Sequence, residues 1–504
     1  MARLALMPAL LVDALTLGSG ALLALAFAPF SQGWLAPLCV AVLFAGWHGA
    51  RPGRAAWRGW LFGVGVFGAG VYWVYFSMHI YGALPPLLAA LFTAVFVLLL
   101  ALFTALAGLL AVRLTPQSPP ARLLLVFPAV WVLLEWVRSW LFTGFPWLYL
   151  GYTQAEWPLA GWAPVVGVYG LSWAVAVSGA ALAVAPLVAW KQRALLLALL
   201  ALLWGGGAGL QGRNWTEPAG EPLEVRLLQP NVAQLRKWDP RYRQEILARS
   251  ATLTREHWGV DLIVWPETAV PVFYDEVRDG YLRILQEEAR RHGTDVLVGL
   301  PVRPDGGDAY YNSVLTLGAE SAFYHKRHLV PFGEYIPLRS VLGSLLDILQ
   351  VPMAAFSSGG AGQPPLPAAG YGAGISICYE IAFPAEVRSF LPEAAWLVNV
   401  SNNTWFGDSS APHQVLQMAQ VRAQETGRYV LSATNDGATA IVDHRGRVSA
   451  RAPQFQEFVL GGQVQPRVGA TPYVRWGDWP VLVALAGLGV IGFAAARRSQ
   501  SPSR

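Results

Sequence analysis

Apolar residues run almost without interruption through the first 211 positions of the chain, and the pattern then changes. Eight runs are apolar over the length that crosses a bilayer: 8–28, 34–50, 57–78, 84–112, 122–140, 162–190, 194–211 and, far from the others, 479–496. The first is read as a span rather than a cleaved leader, because it lacks a strongly basic start and further spans follow at once. Asp13 within it is costly in lipid and is expected to face other helices or lie near an end. Between the seventh and eighth runs, charges return and short apolar segments alternate with amphipathic ones. Leu223–Gln229 and residues 261–265, 295–300, 313–317, 374–378, 396–400 and 429–434 read as strands, and 241–257, 276–292 and 413–427 as helices. Alternating strands and helices predict an α/β domain. The turn-like Asp443-His444-Arg445-Gly446 adds hairpins and hence mixed sheets. No internal repeat is present.

The arginines orient this layout. Arg51, Arg54 and Arg58 follow the second run, Arg113 and Arg122 the fourth, Lys191 and Arg193 the sixth, and Arg497 and Arg498 the eighth. The opposite links are poor in Lys and Arg apart from Arg138. Positive residues stay cytoplasmic, so both termini are expected inside and residues 212–478 on the outer face. The predicted domains are a seven-helix membrane domain at 1–211, an extracytoplasmic α/β domain at 212–478, and an eighth span with a cytoplasmic tail at 479–504.

Composition agrees with a membrane protein: 54% of residues are hydrophobic and 13% charged, against about 25% charged in soluble domains. The net charge of +5 is what arginines flanking spans produce, and no basic run interleaved with aromatics points to nucleic acid. Cys39 lies in an apolar run and Cys378 in the polar region, so a disulfide between them is excluded and Cys378 is a lone thiol in an oxidising compartment. The loop at 140–159 is rich in aromatics. It reads as an interfacial belt, or as a loop that admits a lipid or peptide. The apolar run 340–356 reads either as a core helix or as an arm dipping into the interface.

Three segments carry chemistry. Cys378 closes a strand of small and β-branched residues, and a reactive thiol needs a base or cation beside it. Glu267 follows Trp265-Pro266, which favours an extended strand end, where α/β folds place their chemistry. Lys326 is one of three lysines in a chain that elsewhere uses arginine, which points to a need for a compact ammonium. Taken singly, each has an ordinary alternative: an inert buried thiol, a helix-start acid, a surface lysine. Glu334 stands near enough in sequence to charge-balance Lys326. His325 and His328 lack further ligands for a metal. There is no P-loop and no G-x-S-x-G turn.

Together these segments resemble the carbon–nitrogen hydrolase (nitrilase) superfamily. With the spans, the chain resembles the apolipoprotein N-acyltransferases within it. The stretches that carry this are Phe27-Ala28-Pro29-Phe30, FTGFPWLYLGY at 142–152, KWDP at 237–240, VWPE at 264–267, YHKRHLVPFGEYIP at 324–337, ICYE at 377–380, SNNTWFGDS at 401–409 and GRYVLSATNDG at 427–437. Asn403 stands where many members carry an acid.

The resemblance implies a polytopic α-helical membrane domain of about eight spans with a nitrilase-like αββα sandwich outside the membrane. It implies Glu267 as general base, Lys326 as oxyanion stabiliser and Cys378 as nucleophile and acyl carrier. Glu334, Tyr379 and Glu380 come out as supporting residues, and Trp238 and Trp405 as substrate-side loop residues. The implied reaction moves an acyl chain from a phospholipid, phosphatidylethanolamine by resemblance, through a Cys thioester to the α-amine of a diacylglyceryl-cysteine on a bacterial lipoprotein at the inner membrane. No metal or organic cofactor is expected. Two other readings use the same sequence: a membrane-tethered amidase or nitrilase acting on a small carbon–nitrogen substrate, and a transporter or receptor with an outer binding domain.

Overall fold

The computed structural model describes residues 8–114, 122–303, 310–335 and 356–498. The expected arm at 340–356 lies outside the described residues except for Phe356. The chain divides into two compact units, one comprising the residues up to Tyr75, Leu84–Arg213 and the residues from Arg475, the other comprising Phe76–Ala83 and Asn214–Val474.

The first unit is helical. Each of the eight apolar runs holds a helix: Ala9–Leu23, Leu35–Trp47, Pro52–Gly70, Pro86–Arg113, Phe127–Arg138, Ala163–Val184, Trp190–Leu210 and Trp479–Arg498. Among the described residues, four helical segments are long and apolar enough to cross a membrane: Ala9–Ala26, Pro86–Arg113, Pro158–Leu187 and Trp190–Leu210. Pro52–Gly70 with Val74–Tyr81 makes a fifth if this pair, bent by 59°, is one span. Local backbone shortens two of the others. The helix in 34–50 stops at Trp47, because His48 turns extended (φ −63°, ψ 124°) ahead of Gly49 at φ +73°. The run at 57–78 breaks at Val71, whose backbone leaves the helical region. Asp13 turns inward as expected, paired with Arg54 at 2.7 Å and Arg58 at 3.1 Å and accepting from Trp57 Nε1. A buried carboxylate in apolar surroundings requires such partners.

The second unit is built on two six-stranded sheets. One runs in the order Phe458–Val464, Leu223–Gln229, Leu262–Val264, Asp295–Val302, Tyr311–Leu317, Phe323–His325. The other runs Val448–Arg451, Ala440–Val442, Val430–Thr434, Trp396–Ser401, Tyr371–Ile377, Leu366–Ala368. The central strands of each sheet are parallel and the outer ones antiparallel, so both sheets are mixed. The sheets pack on each other, while Arg243–Arg255 and Arg283–His292 cover one outer face and Ala411–Thr426 the other, an αββα sandwich. Strands covered on both faces have little use for polar alternation. Accordingly Ile263, Val296, Val298 and Leu315 pack with Leu253, Leu285 and Ala289 of the helices, while Leu262, Val264, Leu297 and Val314 on the opposite side of their strands are also fully buried.

Several boundaries differ from the sequence reading. The strand at 374–378 is Tyr371–Ile377, because Cys378 takes φ +56° and ends it. The helix at 276–292 begins as Tyr274–Val277, widens into a π-turn over Arg278–Leu282 around Gly280, and becomes regular only over Arg283–His292. The strand at 313–317 starts earlier, at Tyr311, and so takes in Asn312. The Asp443–Gly446 turn joins antiparallel Ala440–Val442 and Val448–Arg451 as expected.

Candidate active site

Three strand ends deliver the sequence-predicted residues. Glu267 comes three positions after Leu262–Val264, Lys326 directly follows Phe323–His325, and Cys378 directly follows Tyr371–Ile377. The first two strands belong to one sheet and the third to the other.

The centre is a buried lysine between two carboxylates. Lys326 Nζ lies 2.7 Å from Glu334 Oε1 and 3.7 Å from Glu267 Oε1, and its side chain is 1% exposed. Burial alone works against the ammonium, but Glu334 and Glu267 outweigh it and hold the Lys326 pKa above the ordinary lysine range. The second oxygen of Glu334 accepts from the Val330 N–H at 2.8 Å. Both Glu267 oxygens are also engaged. Asn312 Nδ2 donates to Oε1 at 2.7 Å, and the Asn402 N–H donates to Oε2 at 2.8 Å. The Glu267 main chain is fixed separately, its carbonyl accepting from Lys237 Nζ at 3.0 Å.

Cys378 sits in the left-handed region at φ +56°, a conformation that costs about 1–2 kcal/mol for a residue with a side chain. The turn pushes the thiol out of the strand, and the Tyr379 N–H donates to it. Burial, reinforced by the Glu267 and Glu334 charges, pushes the Cys378 pKa up, while Lys326 and the Tyr379 N–H work in the other direction. The resting thiol is therefore neutral, and it becomes a nucleophile only as a base removes its proton.

Glu380 braces this turn. Its carboxylate accepts from the N–H groups of Ile377 (2.7 Å), Arg327 (2.6 Å) and His328 (3.1 Å) and from the Tyr324 hydroxyl (3.0 Å). One side chain thus ties the residue before Cys378 to the two residues after Lys326. Burial pushes the Glu380 pKa up to about 7, with the Ile377 N–H pulling against it. Tyr379 turns to an aromatic group, its ring 5.7 Å from His328 and 5.0 Å from Phe383.

Trp238 and Trp405 stand at the surface, 51% and 40% exposed. Trp238 directly follows the turn Gln234–Lys237, whose Lys237 is buried, so the two neighbours point to opposite sides. Gln234 Oε1 accepts from Asn402 Nδ2 at 2.7 Å, which joins this turn to the segment bearing Trp405. The Trp405 carbonyl accepts from Ser77 Oγ at 2.7 Å, and the Tyr81 ring lies 5.6 Å from the Trp405 ring. His325 and His328 go to separate partners, Ser313 Oγ and Glu386 Oε1, each at 2.7 Å. Among the described residues, no group of three or more His, Cys, Asp or Glu is placed to hold a metal ion.

Asn312, Asn402 and Lys237 were not singled out from the sequence as contacts of Glu267. Asn312 had a signal, being a polar residue next to the apolar run at 313–317. Asn402 acts through its main chain, which no side-chain motif reports.

Residues 19–181 match the family described as Apolipoprotein N-acyltransferase N-terminal domain, and residues 224–473 match Carbon-nitrogen hydrolase. A protein of Methylococcus capsulatus named Apolipoprotein N-acyltransferase is 50% identical over 487 residues, covering 97% of each chain. The chain belongs to the apolipoprotein N-acyltransferase family. A relative of the same name from Azotobacter vinelandii is 46% identical over 96% of this chain and 95% of its own. The crystal structure of Saccharomyces cerevisiae Nit3, of branch 10 of the nitrilase superfamily, aligns with 50% of this chain and 93% of its own at 18% identity, with a TM-score of 0.38.

Proposed function

We propose that the chain N-acylates bacterial lipoproteins by two-step transfer through Cys378. The observation that carries this reading is the buried Glu267–Lys326–Glu334 constellation at the strand ends that also bear a neutral, part-exposed thiol.

In the first step Glu267 takes the Cys378 proton as the sulfur attacks the sn-1 ester carbonyl of a phospholipid, with phosphatidylethanolamine as donor. Lys326 and the main-chain N–H beyond Cys378 stabilise the oxyanion. The carbon–oxygen bond breaks, the lysophospholipid leaves with the proton from Glu267, and a thioester remains. In the second step the α-amine of a diacylglyceryl-cysteine attacks the thioester and gives its proton to Glu267. The carbon–sulfur bond then breaks, releasing the amide and the thiol. A thioester is reactive enough toward an amine for the transfer to proceed without an external energy source. Glu334 holds Lys326, Glu380 holds the Cys378 turn, and Tyr379, Trp238 and Trp405 face the substrates.

The architecture suits two lipid substrates. Drawing an acyl chain out of the bilayer costs about 0.8 kcal/mol per CH₂, and a site tethered at the membrane avoids that cost. The domain assignment follows: 1–211 as seven spans, 212–478 as the extracytoplasmic catalytic domain, and 479–504 as the eighth span with its cytoplasmic tail. The support is a helix in each of the eight apolar runs together with the one-sided arginines. On this reading the chain lies in the bacterial inner membrane with both termini cytoplasmic.

Mass spectrometry of the full chain purified from membranes tests the reading. An acyl-sized adduct on Cys378 that disappears on addition of a diacylated lipopeptide, with transfer to its N-terminus, is the expected result. Amide hydrolysis independent of lipid, with no adduct, would favour a tethered amidase. Full function in Cys378→Ala would favour a transporter or receptor.

A further inference from the structure

Glu267 and Glu334 both face the single ammonium of Lys326, yet only Glu334 touches it, at 2.7 Å against 3.7 Å for Glu267. In a buried site with reduced dielectric, two opposite charges about an ångström beyond contact attract strongly. Something must hold Glu267 back.

Asn312 is placed to do so. It lies in the strand Tyr311–Leu317, is 3% exposed, and its Nδ2 donates to Glu267 Oε1 at 2.7 Å, the same oxygen that faces Lys326. The amide orientation follows from chemistry, since an ionised carboxylate only accepts, so the nitrogen must face it. Nδ2 also lies 3.5 Å from Glu334 Oε1. The Asn312 carbonyl accepts the Lys326 N–H at 2.8 Å. One residue therefore fixes the main chain of the lysine and the side chain of the base, and it stands as a donor between two carboxylates.

We propose that Asn312 is a positioning residue that keeps Glu267 out of direct contact with Lys326, so that both remain usable. A contact ion pair would occupy the Glu267 lone pair that takes the thiol proton, and would spend a Lys326 proton that the oxyanion needs. The proposal rests on Glu267 as base and Cys378 as nucleophile.

The test uses the full chain in lipid nanodiscs and two rates per folded molecule. One is alkylation of Cys378 by iodoacetamide, followed by mass spectrometry. The other is formation of the acyl-thioester at saturating phospholipid. Asn312→Asp keeps the shape but removes the donor, and Asn312→Ala removes the donor without adding charge. Both should slow both rates by about tenfold to a hundredfold while leaving the KM for phospholipid unchanged. A purely structural role would lower the folded yield and leave the rates per folded molecule intact. Asn312→Ser, which keeps a short donor, should recover part of the rate, and it decides the question if the other variants fail to fold. Glu267→Gln separates the two readings. If it slows alkylation while the Asn312 variants stay within about twofold of wild type, the proposal alone fails. If Glu267→Gln itself alkylates at the wild-type rate, the assignment of the base fails and the proposal with it.

Discussion

Lys326 is held by Glu334: Nζ and Oε1 are 2.7 Å apart, and the side chains are 1% and 12% exposed. The Val330 N–H fixes the other Glu334 oxygen, so the ammonium is delivered by a carboxylate that is itself anchored. Glu334→Gln keeps the shape and removes the charge. Lys326 is then expected to close on Glu267 and quench it, so thioester formation falls steeply. Loss of one partner of a buried pair costs about 3–5 kcal/mol at most, and less here because Glu267 remains as a second partner. Thermal unfolding and the single-turnover acylation rate check this. Wild-type acylation in Glu334→Gln would remove Glu334 from the site's function.

Lys326→Arg keeps the charge but replaces a compact ammonium with a planar fork. The site is closed around a point donor, with one carboxylate at contact and a second just beyond it. The guanidinium would pair with both acids and leave nothing directed at an oxyanion. Loss of one oxyanion donor typically costs about a hundredfold to a thousandfold in kcat. A single-turnover assay with fluorescent phospholipid should show at least that loss, and near-normal turnover would end the oxyanion assignment.

The strand ends that deliver Glu267 and Cys378 were legible in the sequence because each lies beside an apolar run that a sandwich must bury on both faces, whereas the short edge strand Phe323–His325 before Lys326 carries no such run and was not read as a strand. Val264, His325 and Ile377 close those strands, and Glu267, Lys326 and Cys378 come within three residues of them. The restraints on those residues were less legible. Asn402 reaches Glu267 through a main-chain N–H, and Asn312 does so from inside a strand whose start the apolar pattern placed later. Both contacts depend on how separate strands pack, which periodicity along one strand does not encode. Helix ends in the membrane unit were blurred for a related reason. Apolar residues continue past Trp47 and Gly70, where the backbone turns but hydropathy does not change.

The turn at Cys378 holds a residue with a side chain in a strained conformation. A non-glycine residue at φ +56° is disfavoured by roughly 1–2 kcal/mol, a cost that glycine avoids. Cys378→Gly should abolish thioester formation and raise the unfolding free energy by about 1 kcal/mol relative to Cys378→Ala, which keeps a Cβ in the same strained position. Comparing the two variants in detergent by thermal unfolding isolates the strain from the lost thiol. Equal stability would mean that the turn relaxes when the sulfur is removed.

Lys237 gives the site a pH signature distinct from catalysis. Burial lowers its pKa from 10.5 to about 8, with Glu267 and Asp436 limiting the drop. Below pH 8 the folded and unfolded chains both hold this proton. Between about 8 and 10.5 the unfolded chain holds it and the folded chain does not, so this group makes stability rise with pH across that window. The full effect is no more than about 3 kcal/mol. Lys237→Met should flatten the rise, so the difference in Tm between wild type and variant should grow in favour of the wild type as pH climbs from 8 to 10.5. The same variant frees the Glu267 carbonyl, which accepts from Nζ at 3.0 Å, and should also slow acylation at pH 7. A Tm difference that stays constant across the window would show that Lys237 keeps an ordinary pKa, and that the contact with Glu267 is made by a fully charged ammonium throughout.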